Sequence, residues 1–437
     1  MTSPATPDTV NLFKECYGEL QDILPQDFML QEDIPFSEAG KVGEKFVEAV
    51  VLTNETGWSI LGSEAVAMTI NPAIAGAVQQ CEITPYQTVL ASLVPWGMIS
   101  RTQGNKQAFY SVTKHTVRNN IRSHSKLLEI IRLYGQSDNL LGRVSYYTGT
   151  YRGAAFTNGS GTVNGLAFVN GVNAANKLIL MQKGDFAAGI WVGTEGAIVN
   201  EIDVSGNIVQ SGKVLSVDPI YGYIGVDFTP TVASSVGSHR ICFQGQEEAR
   251  DAPGIVKIMS TTGTLFGIST TKYSLWKGNA INLGGAVKLQ LANVQDAIAQ
   301  AVARGGLDGD IDLYVNPRSW ARMITSESAL RVYDESYKSN KAENGFQSIV
   351  FWSQTGRITV KAHRFVMEGI AVGLHLPDWT RSGSAEISFT VPGSPQELIF
   401  PLHDQTAWAF RSYSDQYMFC HAPAKSFYMY GIDDEAA

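Results

Sequence analysis

Seven histidines and four cysteines are the residues of this chain whose types could do chemistry, and their spacing argues against most of it. His115, His124, His239, His363, His375, His403 and His421 include no HExxH pair or other metal-ligand spacing. His403-Asp404 alone sets a general base beside an orienting carboxylate, and a strand-end histidine accounts for it more simply. Neither a GxSxG elbow nor a phosphate-binding P-loop occurs, and Gly159-Ser-Gly161 has the character of a turn. Cys16, Cys81, Cys242 and Cys420 are far apart, form no CxxC pair and read as buried thiols of a reducing compartment. No catalytic residue, metal or cofactor is expected, and the chain does not read as an enzyme.

The charges carry more information. Lys114, Arg118, Arg122 and Lys126 stand four residues apart, a basic row on the surface of whatever helix holds them. That helix is predicted from Lys106 to Tyr134. Phe109, Val112, Val117, Ile121, Leu128, Ile131 and Tyr134 supply an apolar stripe, Asn105 an N-cap, and Gly135 a residue able to turn left-handed at the end. It holds six positive charges against Glu129, a net of +5. Residues 1–48 hold ten acids against three lysines, a net of −7, so nearly all of the chain's excess charge of −8 lies in one segment. The row can lock the acidic arm, through Glu15, Glu19, Asp22, Asp27, Glu32 and Asp33, or it can face nucleic acid as a sequence-independent counter-charge. Near-compensation of the two charges favours the arm.

Around this helix the chain divides into segments. A length of 437 residues with 44% hydrophobic and 17% charged content describes two or three packed cores. No run of 18 apolar residues occurs and the first 20 residues lack a signal h-region, so neither a membrane span nor export is expected. A short helix capped by Thr6 and Pro7 opens the arm and ends at Pro25, after which residues 26–40 read as extended. From Phe46 to Ser100 there is no lysine or arginine, and strands at Phe46–Thr53 and Ile83–Val94 flank a loose tip. Such an excursion holds too little core to stand alone. After Gly142 the texture becomes β, with Lys177–Gln182, Gly189-Ile-Trp-Val-Gly193 and Lys213–Val217 as strands and roughly 190–245 as an inserted module. A mixed segment follows. It comprises a helix from Leu289 to Arg304 closed by Gly305-Gly306, a strand Asp312–Val315, a helix opened by Asn316-Pro317, and a hairpin of Ile349–Trp352 with Ile358–Lys361. Aromatic strands at Leu398–Phe400, Trp408–Tyr413 and Tyr417–Ala422 precede an acidic tail.

A series of motifs in this order carries a resemblance: Arg132-Leu-Tyr-Gly-Gln136, Leu265-Phe-Gly-Ile268 with Leu275-Trp-Lys-Gly-Asn279, Val315-Asn-Pro-Arg-Ser-Trp320, Arg331-Val-Tyr-Asp-Glu-Ser-Tyr337, and Lys361-Ala-His-Arg-Phe365 leading to Leu376-Pro-Asp-Trp-Thr-Arg381. Together they cover most of 105–390, and the chain resembles the major capsid proteins of tailed bacteriophages, with an α+β, Hong Kong 97-like capsid fold. The resemblance implies an N-terminal arm (1–45), an E-loop (46–104), a P-domain begun by the spine helix (105–189), the inserted β-rich module (190–245), an A-domain (246–379), and a second P-domain part with the tail (380–437). It also implies self-assembly into pentamers and hexamers, an icosahedral head enclosing double-stranded DNA, and assembly in the host bacterial cytoplasm with no membrane. Decoration, scaffold and portal proteins are further partners it implies. The family prototype links its subunits through an E-loop lysine, which this sequence lacks between Phe46 and Ser100, so a non-covalent shell is expected. An encapsulin-like nanocompartment and a β-rich hydrolase are the alternatives.

Overall fold

The computed structural model describes residues 28–37, 45–60, 69–95, 106–138, 140–144, 149–157, 160–231, 239–247, 250–327, 349–389, 400–401 and 407–433. The chain forms two compact units, one from residues 1–41, 85–132 and 380–418, the other from 42–84, 133–379 and 419–437. The helix predicted at 7–24 lies outside the described residues.

The first unit is built on the central helix, Lys106–Tyr134, which has the predicted 29 residues. Its middle turns bury a polar ridge in place of the expected apolar stripe: Thr116, Asn120 and His124 are buried, whereas Ile121 is exposed. Asn120 and His124 are stabilised there by partners on two long strands. Asn120 Nδ2 donates to Leu90 O at 3.2 Å and Ser92 Oγ at 2.8 Å, and His124 contacts Thr88 Oγ1 and Ser412 Oγ at 2.7 and 2.8 Å. Those strands, Tyr86–Pro95 and Ala407–Cys420, pair antiparallel over ten residues, from Tyr86 opposite Gln416 to Pro95 opposite Ala407. The separate strands expected at 408–413 and 417–422 are this one strand of 14 residues. Trp379–Ser388 and Phe36–Ser37 extend the sheet, the latter parallel.

The excursion pairs differently from expectation. Phe46–Val51 is joined by Val78–Ile83, in register from Phe46 opposite Ile83 to Val51 opposite Val78. The predicted partner at 83–94 is split at Thr84-Pro85, because proline gives no ladder donor and the chain there passes from one sheet to another.

In the second unit, one six-stranded mixed sheet runs in the order Asn279–Val287, Phe427–Ile432, Ile370–Leu374, Ile311–Val315, Arg357–Ala362, Ile349–Trp352. Its two middle strands are almost wholly buried, as continuous apolar runs require. The helix Leu291–Gly305 covers the sheet with Val294, Ala297, Ile298 and Ala301 and closes on Gly306 at φ 62°, the left-handed cap that glycine adopts freely. Helix Pro317–Glu327 is opened by Asn316, whose Oδ1 accepts the Arg318 N–H at 2.9 Å. The predicted hairpin of Ile349–Trp352 with Ile358–Lys361 is present, its second strand running Arg357–Ala362.

A ten-stranded antiparallel sheet spans Gly149 to Phe243, so residue 190 does not bound the β-rich module. Its first strands meander through two-residue turns at Arg152-Gly153, Asn164-Gly165 and Asn170-Gly171, with φ near +50° then +80° in each. This is the hairpin geometry that Asn-Gly favours, and the regular Asn-Gly spacing was the available signal. Gly189-Ile-Trp-Val-Gly193 is not a strand but carries a short helix, Ala188–Trp191, with Trp191 fully buried. At the end of the central helix Gln136, not Gly135, takes the left-handed conformation, at φ 53°.

Candidate assembly surfaces

Three places in the structure bear on what the chain could do. The first is the seat of the arm in the first unit. The span expected to be extended contains a single helical turn, Met29–Asp33, with Leu30 inside it and Ile34 directly after it both fully buried. Its grip is through backbone atoms. Leu30 N–H donates to Glu129 Oε1 at 2.8 Å, while Arg381 Nε donates to Ile34 O at 2.7 Å and its Nη2 to Gln31 O at 2.8 Å. Ser382 Oγ donates to Ser37 O at 2.8 Å.

Four charges lie under this seat and balance. Arg132 Nη1 donates to Glu129 Oε2 at 3.1 Å, its Nη2 donates to Gln416 Oε1 at 3.2 Å, and Arg381 Nη1 donates to Glu386 Oε1 at 2.6 Å. Glu129, Arg132 and Arg381 are all buried. Burial and the like charge of Arg132 pull the Arg381 guanidinium below its ordinary range, and Glu386 and Glu129 oppose them. Pairing of this kind is what makes buried charge tolerable, and it converts a short arm segment into a seated one.

The basic row behaves less simply than its spacing suggests. Four residues advance a helix by 400°, so the row turns by about 40° at each step and does not stay on one face. Arg118 is exposed, Lys126 is half-buried and Arg122 is buried at 8% exposure, which corrects the expectation of one continuous solvated row. The side chain of Lys114, like Glu15, Glu19, Asp22 and Asp27, lies outside the described residues. Of the other arm acids, Glu32 is exposed and Asp33 half-buried. The residues that spacing did not flag are Glu129 and Arg381. Glu129 could have been noticed as the sole acid of a strongly basic helix.

The second place is the Phe46–Val51 and Val78–Ile83 hairpin. One face turns inward: Cys81 and Ile83 are buried, Gln79 Nε2 donates to Tyr273 Oη at 3.2 Å, and Glu82 N–H donates to Phe266 O at 3.2 Å. The other face carries Val47, Val51 and Val78, all more than half exposed. Beyond them the tip exposes Trp58 (79%), Ile60 (95%), Ile70 (73%) and Ile74. Seven large apolar side chains exposed on one hairpin and its tip mark a candidate interaction surface.

Third, the titratable groups are occupied in structure. His375 Nδ1 and His239 Nδ1 sit 2.7 Å from Asp378 and Glu201, pairs that the sequence did not flag, whereas His403-Asp404 lies outside the described residues. His375 Nε2 faces Gly309 so closely that a methyl group there would lie 2.6 Å away, so only glycine fits beside this pair. Burial pushes the Cys81 and Cys242 thiols up to about 12 and Cys420 well above its ordinary value, which suppresses the reactive thiolate. Among the described residues there is no group of three or more His, Cys, Asp or Glu able to hold a metal ion, and no helix long and apolar enough to cross a membrane.

His124 supplies a testable pH dependence. Burial, reinforced by Arg132, lowers its pKa from 6.5 to about 4. The unfolded chain therefore binds a proton that the folded unit refuses, and stability falls as pH drops from about 6.5 towards 4 while remaining level above 6.5. At about 1.4 kcal/mol per pH unit the loss is on the order of 3 kcal/mol. Amide exchange of the central helix at pH 7 and pH 4, corrected for intrinsic rates, is expected to show this loss in the wild type and a smaller one in His124→Asn. Equal losses in both would remove His124 as the cause.

No protein-family model matches the chain, and no curated protein matches it by sequence. Among solved structures, the capsid asymmetric unit of cyanophage A-1(L) is similar at 8% identity and a TM-score of 0.52, over 95% of both chains. The capsid of the native GTA particle matches at 8% identity and a TM-score of 0.45, over 99% of this chain and 100% of that one. The SrpI encapsulin of Synechococcus elongatus matches at 6% and 0.40, over 96% and 94%. At such identities the likeness concerns the fold, which the first of these carries. The chain therefore has the fold of a capsid shell subunit. More narrowly, the fold is the one it shares with the cyanophage A-1(L) capsid chain.

Proposed function

We propose that this chain is a major capsid protein that self-assembles into pentamers and hexamers of an icosahedral head enclosing double-stranded DNA. The observation that carries the reading is the hairpin at 46–83, whose inner face rests on its own unit while its outer face and tip expose seven large apolar side chains. Each such side chain, once covered, contributes roughly 1.5–3 kcal/mol before the costs of association, and repetition around a closed shell multiplies weak contacts. In this reading the hairpin is the E-loop, the central helix is the spine, and the arm is seated by Glu129 and Arg381 before neighbours are added.

Negative-stain microscopy of the expressed protein tests the reading: closed shells are expected, and a small species at every concentration would overturn it. The shell is proposed to be non-covalent, since no lysine stands between residues 46 and 100. Boiled particles should then run on a denaturing gel as one band near 47.5 kDa, and a ladder above it would show covalent links. Arg118, the exposed member of the basic row, is proposed to meet the acidic arm segment 15–27, so Arg118→Glu should impair formation of empty shells. Unimpaired empty shells with reduced DNA content would instead assign the row to packaged DNA.

A further inference from the structure

Asp251, in the second unit, is 8% exposed, and among the described residues neither of its carboxyl oxygens completes a hydrogen bond. The Nε2 of Gln246, close by, is likewise buried without a partner. The carboxyl stands where the end of the central helix is tied to the turn that leads into the helix Ile255–Ser260. Two ties flank it. Gln136 Nε2 donates to the backbone oxygen of Asp251, and Gly254 N–H donates to Gly135 O at 2.8 Å. Gln136 is the residue held left-handed at φ 53°, so the first tie acts against backbone strain.

A carboxylate here has lost its water without gaining donors, which makes the charged form the costly one. The charged and titratable groups around it do not relieve that cost. On the strand Arg240–Phe243, Arg240 donates to the backbone oxygens of Asp138 and Asp203, and the Cys242 thiol, pushed up to about 12, stays neutral. Glu247 of the adjoining turn accepts Gly245 N–H at 2.7 Å, and Asp138 beyond the helix end is paired with Lys257 at 2.9 Å. Arg250, the preceding residue, is exposed. Among the described residues none of these forms an ion pair with Asp251.

We infer that Asp251 is a proton-controlled latch on this junction: the uncharged carboxyl lets the turn close on the helix end, and ionisation loosens it. The device does not rest on the assembly reading. Burial pushes the pKa of Asp251 from 3.8 up to about 6, opposed in part by the backbone dipoles at Asp251 and Gln136 and by the Gln246 amide. The closed junction therefore keeps a proton that the opened, hydrated carboxyl releases. Closure is firmest below about pH 4, weakens as pH rises to about 6 and is level above it. That sign is opposite to the one His124 gives the first unit.

The test is amide exchange of the full-length protein at pH 4, 5, 6 and 7, corrected for intrinsic rates and read at Gly254, whose N–H spans the junction. The interval from 3.8 to about 6 makes opening about 100-fold more frequent at pH 7 than at pH 4 in the wild type. Asp251→Asn, which has the same shape and cannot ionise, is expected to protect Gly254 equally across the series. Amides of the helix Leu291–Gly305 are the reference and should not follow the change. Should Asp251→Asn fail to fold, the wild-type series still decides: protection must fall about tenfold per pH unit and level off near 6. Equal protection of Gly254 at pH 4 and 7, a fall that continues unchanged above 6, the same pH dependence in Asp251→Asn, or a change shared by the reference helix overturns the inference.

Discussion

Glu129→Ala is expected to release the arm segment 28–37 and to destabilise the first unit by about 3–5 kcal/mol. Two losses add. Leu30 N–H loses its acceptor, and Arg132, 2% exposed, is left with a buried charge facing the neutral side-chain oxygen of Gln416. Because the chain has two units, global unfolding is a poor readout, and amide exchange at Leu30 is the better one. An opening penalty reduced by about 3 kcal/mol or more accelerates that exchange by at least about 100-fold. Glu129→Gln, which retains an oxygen for Leu30 but not the charge, should fall between the two. Should Leu30 remain as protected in Glu129→Ala as in the wild type, the seat is not what holds the arm.

Val47→Lys with Val51→Lys should leave the subunit folded and abolish shells. Both side chains are on the outer face of the hairpin, more than half exposed, so their replacement is expected to change subunit stability by no more than about 0.5 kcal/mol. A lysine at position 47 would also stand opposite Glu82, a favourable cross-strand pair. At an interface the same ammonium groups are desolvated without partners, at a cost of several kcal/mol per contact, and the cost recurs at every subunit of the lattice. Light scattering and size-exclusion chromatography are expected to show a small species at concentrations where the wild type forms particles. Particles of wild-type size and yield from the double variant would show that this face is not an assembly surface.

What the residues determined without the fold was local. The 3.6-residue pattern set the central helix at Lys106–Tyr134, although Gln136 and not Gly135 turns left-handed after it, and Asn316-Pro317 and Gly305-Gly306 marked where two further helices begin and end. These features depend on neighbours three or four positions away, which a sequence displays directly. Tertiary structure alone decided the rest. Val78–Ile83 rather than 83–94 partners Phe46–Val51, because pairing depends on which sheet accepts each strand once Pro85 breaks the run. Asn120 and His124 became core and Ile121 surface, because two hydroxyl- and carbonyl-bearing strands, one of them nearly 300 residues away, offset the cost of burial that an apolar stripe would otherwise avoid. The arm seat likewise joins Leu30 to Glu129 and Ile34 to Arg381, contacts 99 and 347 residues apart. Charge spacing along one helix could not reveal them, since the worth of a buried charge is set by which distant groups surround it.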